Sequence, residues 1–192
     1  MSEVKRLFQR AQGWWMDKTG VQGWLYREEV EFLRILGAAA RVGVVEIGSW
    51  KGYSTIQLAR NARAPVYAID PHKGTFGHRR EGVKDTYDKF VQNINRYGVR
   101  NRVVPLRMTS IEARRRYNIS FDVLFIDGDH TFEGTAEHYN SWGRLLPRGG
   151  FIAFHDVYNP EFDGPRIIYD SLRDEEWIKL MRCRSIGWAI KR

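Results

Sequence analysis

The stretch Val44-Val45-Glu46-Ile47-Gly48-Ser49-Trp50-Lys51-Gly52-Tyr53-Ser54-Thr55 decides the fold. It opens with a short β-branched run, read as a strand over Val42–Ile47, stops at a glycine, and leads into a helix expected over Ser54–Ala62. Gly48 and Gly52 allow a sharp turn and a close backbone approach to a ligand. The helix start offers unpaired amides and a positive dipole end to an anion such as a carboxylate. The spacing is not the G-x-G-x-x-G of dinucleotide binders, which cradle a pyrophosphate. Instead an acid, Glu46, stands two residues ahead of the first glycine. A tight strand-to-helix turn without a ligand carries the same glycines, so both readings stay open on this segment alone.

Outward from that turn, strands and helices alternate. Strands are expected at Pro65–Ile69, Arg102–Leu106, Phe121–Ile126 and Phe151–Phe154, with helices at Lys84–Tyr97, Thr131–Leu146 and Pro165–Arg173. Two final strands, near 176–181 and 184–191, form a hairpin. Repeated strand–helix units imply a doubly wound parallel sheet with helices on both faces. Such sheets bind ligands beyond the carboxyl ends of their strands. That rule selects 48–54, 70–73, 108–110, 127–130 and 155–156. Asp70 closes the second strand, where a carboxylate can accept both hydroxyls of a ribose, or cap the turn before Pro71. Thr109 and Ser110 end the third strand as small polar groups suited to an adenine edge. Ahead of residue 41, helices over 3–16 and 27–40 make an N-terminal extension or lid to a domain spanning 41–192. The indoles in Gly13-Trp14-Trp15 and Gly23-Trp24-Leu25-Tyr26 are open to three readings: a pocket roof, a homodimer contact, or packing on the sheet.

The ordered set Gly23-Trp24-Leu25, VVEIGSWKGYSTIQLA (44–59), AIDPH (68–72), FIDGDHTFEG (125–134), LLPRGG (145–150) and FHDV (154–157) resembles the class I S-adenosylmethionine-dependent methyltransferases. More narrowly it is similar to the group related to macrocin-type (macrolide-sugar) O-methyltransferases. The resemblance runs from about Gly23 to Pro165. It implies a Rossmann-like, three-layer α/β/α fold with seven strands, mostly parallel, the last antiparallel. It also implies a cofactor site: Gly48, Ser49, Gly52 and Ser54 on the methionine part, with Glu46 and Trp50 in the same turn. Asp70 would take the ribose, flanked by Pro71 and His72, while Thr109 and Ser110 take the adenine and Asp127 reaches the same pocket.

At the reacting end FIDGDH places Asp127, Asp129 and His130 within four residues, and the fifth strand ends in His155-Asp156. Acidic strand ends at neighbouring positions suit a hard divalent cation. By resemblance the ligands are Asp127, His155 and Asp156; relatives commonly carry an acid or acid–amide pair where this chain has His155-Asp156. A histidine ligand shifts the preference from Mg²⁺ toward Mn²⁺, Fe²⁺ or Zn²⁺. His130 matches the base of the macrolide-sugar relatives, and an imidazole can take a hydroxyl proton near neutrality; a loop histidine bonded to backbone or to Asp156 is the other reading. His130 and Asp127 are the expected catalytic pair. His138, in mid-helix, reads as structural, and Cys183 as a small half-buried hydrophobe.

The expected acceptor is a small-molecule hydroxyl, acidic or glycosidic. The net charge of +8 draws on a cluster (Arg96, Arg100, Arg102, Arg107 and Arg114 to Arg116) opposed nearby only by Glu112, and on His72, Lys73, His78, Arg79 and Arg80. This field suits phosphates, an acidic metabolite or nucleic acid, or is a solvated basic face. The chain carries no N/D-P-P-Y/F amino-methylating motif and no RNA-binding module, which disfavours a nucleic-acid methyltransferase. Asp127, His130 and Asp156 together disfavour an inactive nucleoside-binding protein. No apolar run long enough to span a membrane occurs and the first residues show no secretory pattern, so a cytoplasmic protein is expected.

Overall fold

The computed structural model describes residues 20–74 and 85–192. The helix expected over 3–16, the pair Trp14-Trp15, and His78, Arg79 and Arg80 lie outside the described residues. Six helices are described: α1 (Arg27–Ala39), α2 (Tyr53–Asn61), α3 (Tyr87–Arg96), α4 (Ser110–Arg116), α5 (Phe132–Trp142) and α6 (Gly164–Asp170). The strands are β1 (Val44–Ile47), β2 (Val66–Ile69), β3 (Val103–Leu106), β4 (Val123–Ile126), β5 (Phe151–Phe154), β6 (Trp177–Lys179) and β7 (Gly187–Lys191). They form one seven-stranded sheet in the order β3-β2-β1-β4-β5-β7-β6. β1 to β5 pair in parallel, and β7 runs antiparallel to both β5 and β6. This is the Rossmann-like arrangement expected.

Strand side chains alternate between faces, and the core divides accordingly. Val44, Val66, Val123, Phe125 and Ala153 pack with α1, α2 and α3 through residues such as Leu33, Leu58 and Phe90. Val45, Ile47, Leu124, Ile126, Ile152 and Phe154 pack on the opposite face with Ala113, Trp142 and Ile168 of α4, α5 and α6. Nearly continuous apolar strands are what a sheet covered on both faces requires, and each fully buried Leu, Val or Phe contributes about 1.5–3 kcal/mol.

Strand ends differ from expectation for local reasons. β1 starts at Val44 because the Asp122 carboxylate accepts the amides of Arg41, Val42 and Gly43, which removes them from the ladder. Arg102 belongs to a 3-10 turn ahead of β3. α4 was not expected at all. Its capping box is legible as Thr109-x-x-Glu112, with the Thr109 hydroxyl accepting from the Glu112 amide at 3.2 Å and the Glu112 carboxylate accepting from the Thr109 amide at 2.9 Å. The arginines also differ from a free basic field. Arg107 pairs with Asp85 at 2.5 Å, and Arg100 and Arg102 donate to backbone carbonyls. Among the described residues no helix is long and apolar enough to cross a membrane.

Candidate active site

The glycine turn after β1 closes against the ends of β2 and β4. Gly48 has φ +95°, and a Cβ there would sit 2.1 Å from the Asp127 carbonyl oxygen. Gly52 has φ +86° and opens α2, with its missing Cβ 3.0 Å from the Phe90 ring. Both glycines are therefore required by conformation and by close approach. The Ser49 side chain is buried, and its hydroxyl has no hydrogen-bond partner among the described residues. Asp70 ties the turn to β2: its carboxylate accepts the Trp50 amide at 2.8 Å and the His72 amide at 2.5 Å. Each oxygen has further accepting capacity, and Asp70 and Pro71 line the cleft.

Glu46 lies behind the turn. It points with Val44 toward α2, is fully buried, and accepts a hydrogen bond from the Thr55 hydroxyl. Burial pushes its carboxyl up to about 8, against the pull of hydrogen bonds from Ser54 and Thr55. Glu46 and Gly52 support the glycine turn without lining the cleft, whereas Gly48, Ser49, Trp50 and Ser54 line it. His72 departs from its expected place. Its ring is buried against Tyr87 and Phe90 with Nδ1 3.0 Å from the Thr86 hydroxyl, so it braces the loop instead of facing a ligand. Burial lowers its pKa. Thr109 and Ser110 do line the cleft, but their hydroxyls are engaged: Thr109 in the α4 cap, and Ser110 with His138 Nδ1 at 2.9 Å. His138 also receives the Asp129 amide at 3.4 Å, and burial pushes it down to about 4, so it stays neutral.

The register of β4 and β5 builds the reacting end. Ile126 pairs with Phe154, so the next residues, Asp127 and His155, emerge side by side on the α1 face. His155 Nδ1 stands 3.0 Å from Asp127 Oδ1 and 3.4 Å from Asp156 Oδ2. His130 Nε2 stands 3.4 Å from Asp127 and 3.3 Å from Asp156. One donor atom from each of Asp127, His130, His155 and Asp156 lies within 4.8 Å of the others. Asp156 holds φ +58°, a left-handed conformation that turns its carboxylate into the group. Burial alone would raise Asp127, but the two imidazoles outweigh it and hold the carboxyl down at about 2. The same contacts raise His130 and His155 against the desolvation that opposes their charge. Two carboxylate oxygens and two imidazole nitrogens so placed match the donor set of a borderline divalent cation.

A family model described as a methyltransferase domain matches residues 45–157, from β1 through the residue after the Asp127–Asp156 group. The chain belongs to this methyltransferase family. The O-methyltransferase TomG from Streptomyces achromogenes, solved with S-adenosylmethionine, aligns over 100% of this chain and 99% of its own at 16% identity and a TM-score of 0.64. An O-methyltransferase from Bacillus cereus in complex with S-adenosylhomocysteine aligns over 98% and 89% at 21% identity and a TM-score of 0.62. The O-methyltransferase NovP aligns over 88% and 81% at 18% identity and a TM-score of 0.72. At such identities the likeness concerns the fold. Uncharacterized protein R132 of Acanthamoeba polyphaga mimivirus is 29% identical over 119 residues, 58% of this chain. The match spans about half the length of that curated relative, 50%.

Two residues of the cleft and one buried behind it were not singled out as site residues from the sequence. Trp24 stacks on Trp50 with ring centroids 4.3 Å apart, which puts the second indole cluster at the cofactor turn. Phe162 stacks on His130 at 4.5 Å and 19°. Glu29 reaches His155 from α1. Glu29 and Phe162 belong to no motif, and only Trp24, in Gly23-Trp24-Leu25, gave a signal. The cleft that Trp24 and Phe162 line encloses about 1640 Å³, more than the roughly 300–1,000 Å³ of a site for one small ligand. It has room for a cofactor and an acceptor together.

Proposed function

We propose that the enzyme methylates a hydroxyl of a small molecule, a sugar or related compound, assisted by a divalent cation held by Asp127, His155 and Asp156. The convergence of those three side chains with His130 beside the glycine turn carries this reading. S-adenosylmethionine, when bound, supplies a methyl group already activated on a sulfonium. Gly48, Ser49 and Ser54 would hold its methionine part, and the partnerless Ser49 hydroxyl offers one unused polar contact. Asp70 would hold the ribose through its remaining lone pairs, while Thr109 and Ser110 border the adenine through their backbone. A cation, when bound, lowers the pKa of a coordinated hydroxyl and supplies positive charge that the two aspartates otherwise draw from the imidazoles. His130 would take the acceptor proton on Nε2 once a cation holds the carboxylates of Asp127 and Asp156 that this nitrogen otherwise faces, with the stacked Phe162 ring fixing the imidazole plane. Phe162 and Tyr158 form an apolar rim that limits water at the reacting end. Alignment of acceptor oxygen, methyl carbon and sulfur supplies most of the rate.

The test is a thermal-shift panel of S-adenosylmethionine, S-adenosylhomocysteine and NAD, with and without Mn²⁺. S-adenosylhomocysteine release is then measured over sugars, catechols, hydroxy acids, amines and RNA. The proposal expects stabilisation by the two adenosyl compounds and Mn²⁺-stimulated turnover on a hydroxyl acceptor, abolished in His130→Asn with cofactor binding retained. Stabilisation by NAD alone, or turnover confined to amines or RNA, refutes it.

A further inference from the structure

We propose that Glu29 is the positioning residue of the cation site, fixing the His155 imidazole so that Nδ1 is its metal-ligating atom; this rests on the metal-assisted reading above. Glu29 is fully buried, in the first turn of α1, outside every motif that carries the resemblance and far in sequence from His155. A buried carboxylate is costly unless its lone pairs are taken. Here they are: one oxygen accepts the Ser185 amide at 2.8 Å and the Ser185 hydroxyl at 2.7 Å, and the other accepts the Tyr26 amide at 2.8 Å and faces His155 Nε2 at 3.4 Å. Capping α1 does not require this burial, because Glu112 makes the same capping contact on α4 while exposed to solvent.

The geometry of His155 supplies the reason. The imidazole has one nitrogen toward Glu29 and the other toward Asp127 and Asp156. A carboxylate can only accept, so each nitrogen turns a hydrogen to its carboxylates, Nε2 to Glu29 and Nδ1 to Asp127 and Asp156; a cation held by those aspartates would take the place of the Nδ1 hydrogen, while Glu29 keeps the one on Nε2. Metal-bound histidines are commonly held this way, through a carboxylate on the far nitrogen that sets tautomer and ring orientation. Where a carboxylate ligand would need no orientation about a ring, a histidine does. Glu29 supplies that orientation to His155. The same carboxylate accepts from Ser185 between β6 and β7, which ties α1 to the hairpin as well as to His155.

Mn²⁺ titration by calorimetry on the full chain tests this, alongside the visible spectrum of the Co²⁺ form. Glu29→Ala is expected to weaken Mn²⁺ binding about 10–100-fold and to shift the Co²⁺ bands. Glu29→Gln, which keeps a weaker acceptor, is expected to show a smaller loss in the same direction. Ser185→Ala, which removes one donor to Glu29 without touching His155, is expected to lower the melting temperature and leave Mn²⁺ affinity and the Co²⁺ spectrum at their wild-type values. A purely structural Glu29 predicts lower melting temperatures throughout with metal binding unchanged. Wild-type Mn²⁺ affinity and an unaltered Co²⁺ spectrum in whichever Glu29 variant folds overturn the inference. If the wild-type chain takes up neither ion, cation assistance fails with it, while stabilisation by S-adenosylmethionine reports separately on the methyl-transfer reading.

Discussion

Glu46 makes a pH dependence that the structure specifies in sign and size. Its carboxyl has no cation beside it, and desolvation raises it from 4.5 to about 8. Between those values the fold retains a proton that the unfolded chain has released. The unfolded state then binds fewer protons, so stability from this group is fully present below about pH 4.5 and is lost as pH climbs toward 8. The slope is about 1.4 kcal/mol per pH unit, or about 5 kcal/mol across the window. Glu46→Gln is neutral at every pH and keeps a carbonyl oxygen for the Thr55 hydroxyl. Urea unfolding of both proteins at intervals from about pH 5 to about pH 8 gives a difference in which all other titrating groups cancel. The variant should match the wild type at the acid end and exceed it increasingly toward the alkaline end. A flat difference, or one that moves toward the wild type as pH rises, refutes the burial argument and means that Glu46 is ionised in the fold.

Three further outcomes follow from the cleft. Gly48→Ala forces a left-handed alanine and places its methyl carbon 2.1 Å from the Asp127 carbonyl; a loss of about 3 kcal/mol or more, with no thermal shift from S-adenosylmethionine, is expected in melting experiments. Asp70→Asn leaves one oxygen to serve two backbone amides and the ribose, so the cofactor Kd measured by calorimetry should rise about 10–100-fold, the equivalent of one charged hydrogen bond. Phe162→Ala removes the ring stacked on His130 and should lower kcat about 2–12-fold, the worth of an aromatic pair, while cofactor Kd stays unchanged.

The sequence carried the sheet because buried parallel strands and glycine turns leave strong local marks. Strand ends slipped where a distant side chain competed, as Asp122 does for the amides ahead of β1. α4 was overlooked although Thr109 and Glu112 spell its cap; the arginine run after it reads as charge before it reads as helix. His72 was placed in the cofactor group by its neighbour Asp70, and nothing local says that Thr86, Tyr87 and Phe90 claim its ring. Asp127, His130, His155 and Asp156 were named correctly as neighbours because strand ends at adjacent positions must meet. The partner of His155 was not legible, since Glu29 lies 126 residues away and resembles an ordinary first-turn acid.

That distance bears on what the N-terminal segment does. α1 crosses α2 so closely that a Cβ on Gly37 would stand 2.0 Å from the Leu58 carbonyl oxygen, and Leu33 and Leu36 share the core with β1 and β2. Arg184 reaches back to Glu28, one residue before the carboxylate that meets His155. A lid built on α1 would have to break the Glu29 contacts to Ser185 and His155 whenever it opened, leaving a buried carboxylate partly unpaired at a cost of several kcal/mol. Access for the acceptor is cheaper past Trp24, Phe162 and Tyr158, whose rings border the cleft on loops. Motion there leaves the β4 and β5 ends fixed, which the transfer geometry requires.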